Sequence, residues 1–213
     1  MNDTLFWQGL IFGLAIAAPV GPIGVLTIRR TLTEGLVIGL LTGLGAATAD
    51  AFYGTVAAWG LTAVSDFLIH YQTWLSLLGA LFLAYLGLKS LRQPAASTDT
   101  PPSEIRNPQS AIAYLRAYAS TLLLTLSNPV TILSFTAVFA GFGLGSQSDG
   151  AGSGGQLVLG VFLGSALWWL ILCGGVTAVR TRLSATALRL INIASGLILI
   201  GFSVALVGGL LVG

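Results

Sequence analysis

The sequence predicts an all-α integral membrane protein of six transmembrane helices, both termini outside, arranged as a 3+3 inverted repeat. Three observations point there. The first is composition: mean hydropathy is +0.91, with 55% hydrophobic and 8% charged residues, whereas a soluble domain is roughly a quarter charged. The second is six apolar stretches, near 5–28, 35–61, 67–88, 111–144, 156–179 and 190–212, each able to supply the about 20 helical residues that a hydrocarbon core requires. The third is charge: all nine Lys and Arg fall in alternate connections, and cationic connections stay in the cytoplasm. The apolar runs are continuous rather than alternating, which excludes membrane β-strands.

Taken in order, the first stretch starts outside. Met1-Asn2-Asp3-Thr4 carries no positive charge, and the apolar run continues well past Ala15-Ile16-Ala17, so a cleaved signal peptide is not expected. Arg29 and Arg30 follow the first stretch on the inner side. Lys89, Arg92, Arg106 and Arg116 flank the connection after the third, and Arg180, Arg182 and Arg189 follow the fifth. The outer connections around Asp3, Asp66 and Asp149 carry acids only. Four prolines (Pro94, Pro101, Pro102 and Pro108) fall in one polar stretch, so residues 93–108 read as a flexible cytoplasmic loop joining halves 1–92 and 109–213. The Gly/Ser-rich stretch 145–155 reads as a mobile outer loop. Trp7, Trp59, Tyr71 and Trp74, with His70 beside them, fall where outer helix ends meet lipid headgroups.

The remaining prolines lie inside spans. Pro19 and Pro22 bracket Gly21 in the first, and Pro129 follows Asn128 in the fourth. Proline removes a backbone donor and clashes with the preceding turn. In hydrocarbon such a break belongs in the protein interior or beside a wet cavity. Helices 1 and 4 are therefore expected to be interrupted. Three helices per half require related halves to be inverted. Each second helix carries a small-residue pair, Gly39/Gly43 and Gly160/Gly164. Matching interruptions place a substrate site between the halves.

Asp50 is the sharpest single signal. It lies fifteen residues beyond Gly35, about 22 Å along a helix. A charge there costs at least about 2.5–3.5 kcal/mol on insertion scales, so Asp50 must face the bundle interior or be neutral. At about 100° per residue from Gly35, Asp50 falls at about 60°, between Gly39 at about 40° and Gly43 at about 80°, with Gly54 at about 100°. Neighbouring backbones approach closely along such a stripe, which serves either intrachain packing, with Gly35 included, or a homodimer. Asp50 is then a structural carboxyl or a site for protons and cationic groups. Tyr53, Trp168 or its neighbour Trp169, and Asn192 are further polar candidates. Cys173 reads as packing.

The excluded classes are equally informative. There is no Walker loop, HExxH or CxxC, so no enzyme, cofactor or metal site is expected. The basic residues are not clustered as nucleic acid would require. Without an ATP-binding element, active transport must draw on an ion gradient.

Gly21-Pro22, Arg29, Arg30, Gly35, Gly39, Gly43, Asp50 and Gly60-Leu61 resemble the N-terminal signature of the LysE/RhtB family of amino-acid exporters, and Asn128-Pro129 resembles its Asn-Pro-Lys motif. Val130 stands where that pattern usually has lysine. The resemblance implies a multi-pass protein of the cytoplasmic membrane that exports amino acids or similar metabolites by proton antiport. Its expected partners are the substrate, protons and the lipid bilayer. Asp50, Asn128, Gly21, Pro22, Pro129, Tyr53 and Trp168 are the expected substrate and proton pathway. The rival readings are a divalent metal-cation exporter of a related six-helix family, disfavoured by the single intramembrane carboxylate, and a non-transporting membrane subunit.

Overall fold

The computed structural model describes residues 3–19, 21–59, 67, 70–92, 111–128, 131, 134–135, 151–180 and 182–212. Among them are seven helices and no strand: α1 (Asp3–Ala17), α2 (Pro22–Glu34), α3 (Leu36–Ala58), α4 (Gln72–Arg92), α5 (Ala111–Leu126), α6 (Ala151–Arg180) and α7 (Ala185–Val212). By length and composition α3, α4, α6 and α7 can each cross a membrane, and α1 with α2 can form one span broken by an 80° bend. The linker 93–108, residues 145–150, Gly60, Leu61, Pro129 and Val130 lie outside the described residues. Residues 151–155, expected in a mobile loop, are instead the first turns of α6. Trp7, Trp59, Tyr71 and Trp74 are all exposed.

The first break forms where the prolines place it. Ala18 N–H still reaches Leu14 O at 3.0 Å, and Gly21 N–H closes onto Pro19 O at 2.9 Å. Pro22 then opens α2 at its first turn, where a missing N–H costs no helical hydrogen bond. The chain does not leave the protein at residue 28, as the hydropathy suggests. It continues as helix to Glu34 and turns at Gly35, whose φ is +97°. A Cβ at Gly35 would meet nothing within 4 Å. This glycine therefore makes the turn, not the packing contact expected of it.

That continuation changes the role of Arg29 and Arg30. Both were expected in a cytoplasmic connection, yet they are only 2% and 7% exposed. Arg30 Nη1 donates to Thr42 Oγ1 (3.1 Å) on α3, and to Ala117 O (3.1 Å) and Thr121 Oγ1 (3.2 Å) on α5. Its Nη2 donates to Ser120 Oγ at 3.0 Å. Thr42 and Thr121 give their own protons to Ile38 O and Ala117 O, which leaves oxygen lone pairs turned to the guanidinium. Neutral acceptors from two helices thus take the place of water around a buried cation and pin α2 to α3 and α5.

α3 is the centre of the bundle, packed most extensively on α6 and α5; α1 lies on α6, α4 on α7, and α2 touches α3, α6 and α7. Hydrophobicity does not drive helices together in lipid, so backbone proximity must. At the α1–α6 contact two glycine pairs interdigitate. A Cβ on Gly9 or Gly13 would strike Leu157 O or Val161 O, and one on Gly160 or Gly164 would strike Phe6 O or Leu10 O. Residue numbers rise together across this contact, so the helices are parallel. α4 and α7 are antiparallel, with Ser203 Oγ donating to Ala80 O and Ser90 Oγ to Asn192 O, both at 2.8 Å.

Two outcomes test this packing. Gly164→Ala pushes a methyl into the α1 backbone and is expected to cost about 1–3 kcal/mol, whereas Gly174→Ala enters open space and is tolerated. Equal melting temperatures for the two variants in detergent would contradict the packing. Arg30→Met strands several buried acceptors, each worth about 1–3 kcal/mol, and is expected to lower the melting temperature by about 2–4 °C for each kcal/mol lost. An unchanged melt would show that the cage stabilises nothing.

Candidate functional site

The site is built outward from α3. Asp50 is 3% exposed, on the face that also carries Gly43 and Gly54. A Cβ on Gly43 would run into Trp169 of α6, and one on Gly54 would touch Val161 at 3.7 Å. The small-residue face meets α6 along its length, so Asp50 points at α6 and away from lipid. Ser165 Oγ of α6 donates to Asp50 Oδ2 at 2.7 Å. Asp50 Oδ1 accepts no hydrogen bond from the described residues, and no described cation pairs with the carboxyl group. A carboxylate buried with one donor is far from the solvation that water gives it.

Tyr53, one turn along α3, links Asp50 to the second break. Its hydroxyl donates to Leu126 O at 2.7 Å, one of the final α5 carbonyls that the helix itself cannot satisfy. Its ring lies 5.5 Å from that of Phe135. α5 ends at Leu126. Asn128 N–H bonds Thr125 O and Thr131 N–H bonds Asn128 O, both at 3.1 Å. Asn128 itself is half-buried and outside any helix. Among the described residues, the expected interruption of the fourth span thus appears as the end of α5 beside Tyr53.

The first break approaches the same helix one turn earlier. Ala17 and Ile23, on either side of it, pack in one buried cluster with Ala46, Ala47 and Trp169. Gly21 caps α2 without any side-chain cap, and Pro22 follows. Both are half-buried, and a Cβ at Gly21 would meet nothing within 4 Å. Asp50 therefore lies between the points where the two breaks meet α3. Gly39 packs on Thr31 of α2, holding α2 beside the lower half of α3.

The tryptophan pair divides between two environments. Trp168, singled out in the sequence, lines an apolar groove with Ile28, Leu32 and Ile191. Trp169 is the interior ring, 4% exposed, with its Nε1–H buried and without an acceptor. Of the tryptophan pair the sequence placed Trp168 in the pathway, and Ser165 went unread, although Val161, Ser165 and Trp169 recur at intervals of four and share one helix face. That interval was the available signal. Among the described residues no three His, Cys, Asp or Glu side chains come together as a metal site.

Comparison with known proteins agrees with this architecture. The chain matches the LysE type translocator family over residues 14–209. The Bacillus subtilis (strain 168) protein named for amino acid efflux, YcgF, is 28% identical over 204 residues, 93% of either chain. The chemotactic transduction protein ChpE of Pseudomonas aeruginosa is 28% identical over 208 residues, 94% of this chain and 96% of its own. A leucine efflux protein of Salmonella typhimurium is 26% identical over 137 residues, 64% of this chain and 62% of its own. No solved structure matches the chain. An all-α, multi-pass membrane architecture and a match that leaves out little beyond the two ends lead to one conclusion: the chain belongs to the LysE-type translocator family.

Proposed function

We propose that the protein is a secondary exporter that carries amino acids or similar small metabolites out across the cytoplasmic membrane, driven by the proton gradient. One observation carries this reading: a buried carboxyl group, Asp50, with one oxygen left without a donor between two helix interruptions. Relatives named for amino acid efflux and leucine efflux support the substrate class. Translocators of this family are transporters and not enzymes, which fits the lack of catalytic motifs.

The proposal takes six spans with both termini outside. α1 with α2 forms the first span, and α5 with the residues after it forms the fourth. The helix contacts support an inverted repeat. α1 packs parallel on α6, and α5 packs on α3 with Gly45 against Tyr118 O and Tyr53 reaching Leu126. Exchanging spans 1, 2 and 3 with 4, 5 and 6 turns one contact into the other. The same exchange maps the α3–α6 and α4–α7 contacts, both antiparallel, onto themselves. The substrate site then lies on the axis of the repeat, between α3 and α6.

An amino-acid zwitterion needs an anion for its ammonium and donors for its carboxylate. Asp50 Oδ1 takes the ammonium, with Ser165 holding the other oxygen. The first-turn amides of α2 after Pro22, at the positive end of the helix dipole, face the substrate carboxylate. Trp169 Nε1–H is a further donor with no partner of its own, and Asn128 adds a neutral hydrogen bond. Pro129 is assigned to the opposite half-helix. After release outside, a proton takes the place of the ammonium on Asp50, and the site returns neutral. Competition for one carboxylate is sufficient to couple the two fluxes. A potential of 100 mV supplies about 2.3 kcal/mol per charge, enough for a concentration ratio of roughly fifty.

Asp50→Asn keeps the hydrogen bond to Ser165 but can no longer exchange a proton for an ammonium. The variant is expected to insert and to melt near the wild-type temperature. Efflux of radiolabelled leucine from cells loaded with a leucine dipeptide should fall to the level of cells lacking the protein. Wild-type efflux in this variant would remove Asp50 from the mechanism.

A further inference from the structure

An apolar groove lies on a different face of α6 from Asp50. It runs open between α2, α6 and α7 with a volume of about 460 Å³, walled by Ile28, Leu32, Trp168, Leu172, Val176 and Ile191. Its size falls within the roughly 300–1,000 Å³ of small-molecule sites, but its walls are almost wholly apolar, so it suits no amino acid. Ser165 and Trp169 leave α6 toward α3, whereas Trp168 faces the groove. The groove is therefore separate from the Asp50 site.

The groove also includes Val179 and Leu183, which belong to the turn joining α6 to α7. Arg182 N–H bonds Val179 O at 2.9 Å, and Leu183 N–H bonds Arg180 O at 3.1 Å. Arg180 and Arg182 thus alternate along the chain with groove residues, and Arg180 follows the groove residue Val176 by one helical turn. Arg182 and Arg189 are exposed, and Arg180 is half-buried. No Asp or Glu occurs from residue 151 to the C-terminus. None of the three arginine side chains makes a hydrogen bond or ion pair with the described residues. Glu34, at the end of α2, acts electrostatically on Arg29 and Arg30. Orientation in the membrane accounts for cations at this end; it does not account for an apolar slot beside them.

We propose that this groove is a binding site for an anionic phospholipid. One acyl chain lies along Trp168, Leu172 and Val176, and the phosphate rests on Arg180 and Arg182. Any lipid tail fits the slot, so the arginines make the choice of headgroup. Basic pockets between helices on the cytoplasmic side recognise anionic headgroups in this way. The lipid would brace α2 against α6 and α7 without entering the Asp50 site.

Gly175 makes the proposal testable, because it lines the groove and a Cβ there would meet nothing within 4 Å. Gly175→Phe fills the slot without displacing protein. Purified protein would be offered phosphatidylglycerol and phosphatidylethanolamine in equal amounts and examined by native mass spectrometry. The wild type is expected to retain phosphatidylglycerol over phosphatidylethanolamine by about tenfold or more. Arg180→Gln with Arg182→Gln should bring that ratio close to one, and Gly175→Phe should abolish the retained lipid. Equal retention of the two lipids by the wild type overturns the proposal whatever the variants do. So does undiminished phosphatidylglycerol in both variants, or a dimer that Gly175→Phe dissolves, which would make the groove a contact between copies.

Discussion

A charged group inside a bilayer must be solvated by protein, because the hydrocarbon offers nothing, and this chain meets that demand in two contrasting ways. Arg30 is surrounded. Four acceptors from α3 and α5 converge on its guanidinium, and the result is a fixed joint between the bent first span and the rest of the bundle. Asp50 is left incomplete, with Ser165 its sole hydrogen-bond donor among the described residues. Arg30 is satisfied and structural; Asp50 is the group that the proposal gives to the substrate ammonium and the proton. That contrast separates the residue that holds the fold from the residue assigned to transport.

The surrounding packing makes the incomplete site possible. Gly43 lets the Trp169 side chain lie against α3, while Gly160 and Gly164 bring α1 onto the backbone of α6. Small residues therefore bring two helices to α6 from opposite sides and align its Ser165 with Asp50. Tyr53 extends the arrangement by spending its hydroxyl on Leu126 O, so the end of α5 is tied to the same turn of α3.

Much of this was legible in the sequence. Composition and the alternation of charge identified a multi-pass helical protein, and helical geometry put Asp50 on the glycine face that the structure turns toward α6. Four things were not legible, each for a physical reason. The burial of Arg29 and Arg30 was hidden because hydropathy ends a span at the first cations, whereas neutral acceptors far along the chain let the helix continue. Ser165 was missed, and the inward ring of the tryptophan pair was left undecided, because adjacent residues point about 100° apart on a helix and a local reading cannot tell which of them faces inward. Gly35 sits on the correct face for packing, yet its positive φ assigns it to a turn. The pairing of Gly9 and Gly13 with Gly160 and Gly164 joins segments about 150 residues apart, and no local pattern encodes it.

Competition between an ammonium group and a proton for one carboxyl group is the centre of the account, and proton release on binding measures it. Leucine would be added to detergent-solubilised protein in weakly buffered solution containing a pH indicator, below the pH at which Asp50 gives up its proton unaided. The account predicts release of about one proton per leucine bound, and none from Asp50→Asn. Leucine binding without proton release, or equal release from wild type and Asp50→Asn, would contradict it.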